Sequence, residues 1–310
     1  MIKSTYNKND IAKFLSNKYN EEIILIPMAE GMESQVFSFK HDSNDFIVRI
    51  NPITEGFQKD DYAYQKFSSA KIPIPKIVEY GKFNDNHSFC ISEKIPGITF
   101  QDADEETVNS LMSDITELWL AISEIDISNT NGYGVFSSQD GNAPFNSWHE
   151  YLLSILDNGK YNWEKVQNME VVDSELVNKI KITMQSLIKY CSEDRKLIHG
   201  DFGSNNVLIE AQTPKINAII DWDNALYGDL FIDIGGGYFW RTWLMCIDKT
   251  AAYWEKMFIS APNYHERTLF YQLRVGLSEI YENALDGDIE TLTWCQERCR
   301  KILDNNGYCI

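Results

Sequence analysis

Between two apolar runs, the segment LIHGDFGSNNVL (residues 197–208) gathers His199, Asp201 and Asn206 into one glycine-punctuated loop, and Ile220-Asp221-Trp222 follows after a short hairpin pattern. The set combines a carboxylate that can direct a hydroxyl with an amide and a second carboxylate, both hard oxygen donors of the kind magnesium accepts. Ordinary residue frequencies give the H-x-D-x4-N spacing by chance in about one per cent of chains this long, and the hairpin with its second aspartate makes accident rarer still.

Such residues need strands and helices to hold them. Residues 9–19 carry Ile11, Phe14 and Leu15 at helical spacing, with Asn9 or Asp10 as the expected N-cap. Residues 21–51 read as three short strands with a turn at EGMES and a hairpin at HDSND. A helix is expected from Phe57 to Ser69, with Tyr62, Tyr64 and Phe67 on its apolar side, stopped by the prolines of KIPIP. Strands at KIVEYG and SFCISEK complete a five-stranded antiparallel sheet. After Pro96 and Gly97 the pattern turns helical over 111–125, 148–156 and 175–191, pauses for two strands in 207–223 joined near Thr213 and Pro214, and returns over 249–258, 266–285 and 290–303. The expected class is α+β, with a small domain at 1–95 and a mainly helical one at 96–310.

Composition narrows the function classes. With 44% apolar and 24% charged residues, the 310-residue chain reads as soluble and globular. Its 46 acidic against 28 basic residues, net −18, disfavour nucleic acid and anionic membrane and favour a cationic small molecule. The N-terminus lacks the basic-then-apolar order of a secretory signal, and no apolar run nears the roughly 20 residues of a membrane span, so the expected location is cytoplasmic. Cys90, Cys191, Cys246, Cys295, Cys299 and Cys309 form no CxxC pair and read as reduced thiols rather than a zinc site.

The HGDFGSNN loop with its IDW segment resembles the catalytic and metal-binding segments of protein kinases and, more closely, of the aminoglycoside phosphotransferase family. The match extends through CISEKIPGITFQD, SNTNGYGVF, YFWRTWL and GLSEIYENALDGD, features similar to those of the hygromycin B phosphotransferases within that family. The resemblance implies a protein-kinase-like two-lobe fold, Asp201 orienting the acceptor hydroxyl, and Asn206 and Asp221 holding Mg2+ between the phosphates of ATP or GTP. The physical logic agrees: a loose phosphoryl transition state needs alignment and charge neutralisation more than covalent help. His199 is then a structural residue of its loop.

By the same resemblance EGMESQVFSF stands in the place of a nucleotide loop, with backbone amides near Glu33 and Ser34 facing phosphate. Arg49 of FIVRIN occupies the position of a phosphate-contacting lysine, with Asp60 as its partner. The backbone of Glu93, Lys94 and Ile95 would face the purine. Trp240 and Trp243, three apart on one helix side, would wall the acceptor's sugar rings or simply pack. Asp223, extended beside Asp221, would contact a substrate ammonium or brace its segment; Asp229 and Asp233 are expected to stabilise loops through backbone hydrogen bonds. The implied activity is transfer of a γ-phosphate to a hydroxyl of an aminocyclitol antibiotic by a monomer. A macrolide, choline or homoserine kinase, or a catalytically silent nucleotide-binding protein, are the alternatives.

Overall fold

The computed structural model describes residues 6–28, 34–210 and 212–308; the expected EGMES turn through Gly31 and Glu33, and Cys309, lie outside them. In chain order the helices and strands begin α1 (Lys8–Tyr19), β1 (Ile26–Pro27), β2 (Gln35–His41), β3 (Asn44–Asn51), α2 (Glu55–Phe67), β4 (Ile77–Asn84), β5 (His87–Glu93) and β6 (Ile98–Thr99). They continue with α3 (Glu105–Ser110), α4 (Met112–Ser123), β7 (Gly134–Val135), α5 (Trp148–Leu153), α6 (Trp163–Gln167), α7 (Ser174–Leu187), β8 (Lys196–Ile198), β9 (Val207–Glu210) and β10 (Lys215–Ile219). The last are β11 (Leu226–Gly228), α8 (Phe231–Trp240), α9 (Met245–Phe258), α10 (Tyr264–Asp286) and α11 (Ile289–Asn305).

The chain divides into two compact units, residues 1–99 with 205–223, and residues 100–204 with 224–310. The β9–β10 hairpin thus belongs with the first unit although the chain reaches it from the second.

The first unit contains the expected five-stranded antiparallel sheet, in the order β1-β2-β3-β5-β4. The β2–β3 hairpin turns through Asp42 and Ser43, both at positive φ (47° and 66°), the combination a two-residue turn between twisted strands demands. Because side chains alternate across a strand, Val48 and Ile50 of β3 and Phe89 and Ile91 of β5 pack with Ile11 and Leu15 of α1. The intervening residues Arg49 and Cys90, cross-strand neighbours, face the other way, where Cys90 packs with Phe57 of α2. The cap of α1 is Asn7, whose side chain accepts from the Asn9 N–H, rather than Asn9 or Asp10; those two already lie inside the helical run. On α2 the buried residues are Phe57, Lys59, Asp60, Ala63 and Phe67, while Tyr62 and Tyr64, expected on the apolar side, are only half-buried. The helix ends at Phe67, before the prolines, through an extended Ser68.

In the second unit α10 is the central helix, packed against α7, α8 and α11. Four tryptophans, Trp119, Trp148, Trp163 and Trp254, lie in its core. Sequence periodicity did not disclose α8, whose FIDIGGGYFW holds three poor helix formers in a row. Packing decides there: a Cβ at Gly235 would sit 2.2 Å from the Tyr271 Cβ of α10, so the helices close on each other only with glycine.

Candidate functional site

In the first unit, Arg49 rises from the interior of the sheet toward α2. Its guanidinium donates through Nη2 to Asp60 Oδ2, lies 3.6 Å from Cys90 Sγ and stands 5.1 Å over the Phe57 ring. Burial alone would lower its pKa, but the Asp60 and Asp221 carboxylates and the Cys90 sulfur outweigh that and raise it, so the cation is fixed. The expected Arg49–Asp60 pair is therefore formed.

Asp60 does more than pair. Its Oδ1 accepts the Trp222 N–H at 2.9 Å, so one carboxylate spans the sheet's cation and the segment after Asp221. Neighbouring Lys59, 1% exposed, donates through Nζ to the Asp223 carbonyl, and burial pulls its pKa down to about 8 against the opposing charges of Asp223, Glu55 and Asp60. A Cβ at Gly56 would meet Asp223 Cγ at 3.1 Å, so the third residue of this face yields to the same segment. Gly56, Lys59 and Asp60 follow i, i+3, i+4 spacing, and Phe67 on the same helix reaches the buried Trp222 ring at 5.8 Å. Lys59 was not singled out in the sequence; the only signal was a charged pair inside a helix whose apolar face is short.

The hairpin brings up the two oxygen donors. Val207 pairs with Ile219, the Ile220 N–H donates to the Asn206 carbonyl at 2.9 Å, and the Ile219 N–H donates to the Pro73 carbonyl at 2.9 Å. Asn206 is buried and Asp221 exposed. Asp221 adopts φ +67°, so the segment is not extended there as expected. An exposed carboxylate beside a buried amide is a donor set that fits a magnesium ion, which takes few protein ligands and keeps waters or phosphates for the rest. Among the described residues no group of three or more His, Cys, Asp or Glu could hold a metal.

The other donor-side expectations fall in the same unit. Ser34 Oγ accepts from Asn51 Nδ2 at 3.3 Å. The Glu93 and Lys94 N–H groups donate to the Lys76 and Asp45 carbonyls, both at 3.0 Å, and Ile95 is half-buried just beyond.

In the second unit, β8 delivers a buried His199 and an exposed Asp201. Gly200 between them sits at φ +83°, and a Cβ there would come 2.2 Å from the Asn224 carbonyl oxygen, so the loop turns only with glycine. Two further carboxyls feel the Asp201 charge. Asp233 of α8 is pushed up to about 7, chiefly by burial and further by Asp201, against a 2.9 Å bond from Trp119 Nε1. Glu279 of α10 is pushed up to about 7 by burial, with Glu282 and Asp201 adding to it and a bond from Asn283 opposing. Asp233 therefore accepts from an indole rather than from backbone, a correction to its expected role. Asp229 accepts the Phe231 N–H at 3.1 Å as expected, and also two nitrogens of Arg267, at 3.2 and 2.6 Å, and the Tyr271 hydroxyl at 2.6 Å.

Trp240 and Trp243 do not share a helix side. Trp240 ends α8 and Trp243 stands in the following turn, its N–H donating to the Trp240 carbonyl at 2.8 Å. Trp240 stacks on Trp294 of α11, with centroids 5.2 Å apart and planes 5° from parallel, and Trp243 sets its edge against both. Trp243 is 50% exposed, the most exposed member of a trio whose other two rings are half-buried.

Known proteins share this architecture. Residues 24–269 match the phosphotransferase enzyme family. The chain is 33% identical over 303 residues to the hygromycin-B 4-O-kinase of Escherichia coli, covering 98% of this chain and 87% of that protein. It resembles a thermostable mutant of aminoglycoside phosphotransferase APH(4)-Ia, in ternary complex with AMP-PNP and hygromycin B, with a TM-score of 0.89 and 32% identity over 96% of this chain and 99% of that one. Aminoglycoside 2'-phosphotransferase-IIIa in its GDP complex shares the fold alone, with a TM-score of 0.70 at 17% identity over 97% of this chain and 100% of that one. The fold is the protein-kinase-like one anticipated, a five-stranded antiparallel sheet followed by a helical C-terminal region.

Proposed function

The chain belongs to the phosphotransferase enzyme family, and on that premise we propose that it moves the γ-phosphate of ATP or GTP to a hydroxyl of an aminocyclitol antibiotic, hygromycin B first, and so confers resistance. It does so as a cytoplasmic monomer with a nucleotide-binding first lobe and an acceptor-binding second one. The observation that carries this reading is the linkage in the first unit from Arg49 through Asp60 to the Trp222 backbone, beside the Asn206–Ile220 bond, because it ties a fixed cation to a pair of hard oxygen donors. Likeness along nearly the whole chain to a kinase of hygromycin B supports the acceptor class.

Each residue then has a physical task. Arg49, held charged, contacts the nucleotide phosphates, and Asp60 keeps its guanidinium oriented. Asn206 and Asp221 would hold a magnesium ion, which supplies charge neutralisation across the phosphates. The backbone near Ser34 approaches phosphate, and since the Glu93 and Lys94 N–H groups are engaged, the purine edge is met by the backbone at Ile95. Asp201 accepts or directs the proton of the acceptor hydroxyl as the phosphoryl group arrives. Trp243 presents an indole to the sugar rings while Trp240, stacked on Trp294, braces it. Asp223, its carboxyl over Gly56, serves the first unit's own bracing rather than the acceptor.

The test is nucleoside-diphosphate release by the purified protein with magnesium and ATP or GTP, across hygromycin B, kanamycin, gentamicin, erythromycin and choline. Stimulation by hygromycin B is the expected result. Stimulation by erythromycin or choline alone keeps the chemistry and overturns the acceptor, and release under none of them points to the silent alternative. Asp201→Ala should cut turnover by about 10²–10⁴-fold with nucleotide affinity largely kept; near-normal turnover would remove Asp201 from its role.

A further inference from the structure

Lys59 is a buried ammonium to which the roles above give no task. A lysine that serves only packing keeps its charged end in water and buries its stem. Here the charged end is itself inside, at the Asp223 carbonyl, where desolvation is costly and a methionine would pack without that cost. The segment it holds is unusual in a second way. Asp221 is a non-glycine residue in the left-handed region, a conformation that persists only where its surroundings impose it. On the N-terminal side the Ile220 N–H is tied to Asn206. On the C-terminal side the Trp222 N–H is tied to Asp60 and the Asp223 carbonyl to Lys59, adjacent residues of one helix face, with Gly56 letting that face approach.

We propose that Lys59 is a positioning residue for the metal site: with Asp60 it forms a two-point clamp on the backbone of residues 222 and 223, which keeps the Asp221 carboxylate in the left-handed geometry that aims it, beside Asn206, at the cation. The inference rests on the reading of Asp221 as a metal ligand. It makes α2 a determinant of metal affinity independently of the contact between Arg49 and phosphate.

The experiment is a Mn2+ titration followed by the electron paramagnetic resonance signal of the free ion, on the full chain with a non-hydrolysable ATP analogue, for the parent protein, Lys59→Met and Lys59→Gln. Nucleotide affinity without metal and the thermal midpoint are measured alongside. Lys59→Met should weaken Mn2+ binding by about 10–100-fold, the range for losing a group that orients a metal ligand, with metal-free nucleotide affinity within about twofold. Lys59→Gln, which retains a neutral donor, should recover part of that loss, and it carries the test if the methionine variant does not fold. Unchanged Mn2+ affinity in the variants, or an equal loss of nucleotide affinity with and without metal, overturns the clamp. Asp221→Asn is the separate control: if it binds Mn2+ as tightly as the parent, the ligand assignment fails whatever Lys59 does.

Discussion

Each unit contains an arginine–aspartate pair with a buried carboxylate, and the two differ in how many of their hydrogen-bonding positions are used internally. The Asp229 carboxylate, with its side chain 2% exposed, is saturated by two guanidinium nitrogens, a tyrosine hydroxyl and a backbone N–H, and Arg267, 9% exposed, engages all three of its nitrogens, the third donating to the Pro262 carbonyl at 3.2 Å. Tyr271 in turn accepts from Trp148 Nε1 at 2.9 Å. Asp60 and Arg49, at 7% and 20%, meet through a single nitrogen, and among the described residues the guanidinium's other close contacts are a sulfur and an aromatic face. A pair with its carboxylate filled and every guanidinium nitrogen engaged holds a fold together; a pair that meets through one nitrogen can receive an anion on the others. Burial alone does not tell the two apart, but the bonding pattern does.

The strongest way to break this comparison is Arg267→Met, which leaves Asp229 buried without its cation. It should cost about 3–5 kcal/mol in denaturant unfolding while the nucleotide KM of the folded fraction stays within about twofold. A mild stability loss with a large change in KM would reverse the assignment of the two pairs. Arg49→Met should do the opposite, lowering nucleotide affinity by about 10–100-fold, equivalent to about 1.4–2.7 kcal/mol, with a smaller loss of stability. Arg49→Lys should recover only part of that affinity, because an ammonium cannot serve Asp60 and a phosphate with the same planar fork; full recovery would mean that charge without geometry is enough.

The smallest effect concerns pH. Asp233 has a folded-state pKa pushed up to about 7 from an ordinary 3.8, so the folded state binds its proton more tightly than the unfolded state does. The stability this contributes is fully present below pH 3.8 and is lost as pH rises through about 7. Asp233→Asn keeps an acceptor for Trp119 and removes the ionisation. It should stabilise the protein at pH 8 by on the order of 1 kcal/mol and change little at pH 4, as read from denaturant midpoints. Equal effects at both values would show that the carboxyl is not held neutral in the folded protein.

What could be read from sequence was what lies close along the chain or repeats with a period. The HGDFGSNN loop was legible because its glycines, apolar flanks and polar residues are contiguous. Arg49 was legible through resemblance, because FIVRIN is similar to the strand on which kinases carry a phosphate-contacting lysine. The clamp was not, since Lys59 and Asp60 meet partners 164 and 162 positions away, and no local pattern encodes such a bond. Trp294 was missed for the same reason: its stacking partner lies on another helix. Helix α8 was hidden because packing against α10 overrides the poor propensity of three glycines, and the Asp221 expectation failed because extension was assumed where tertiary bonds impose a left-handed turn.

The hairpin that joins residues 205–223 to the first unit also sets a schedule for synthesis. Residues 1–99 leave the ribosome with β6 unpaired, since its partner β9 is not yet made, and with the inner face of α2 still lacking Trp222 and the Asp223 carbonyl. At about 5–20 residues per second, translating the residues between 99 and 205 takes on the order of 5–20 s. For that interval Lys59 and Asp60 wait without their bonds to residues 222 and 223 on a nascent chain, the period when a chaperone would find most to hold.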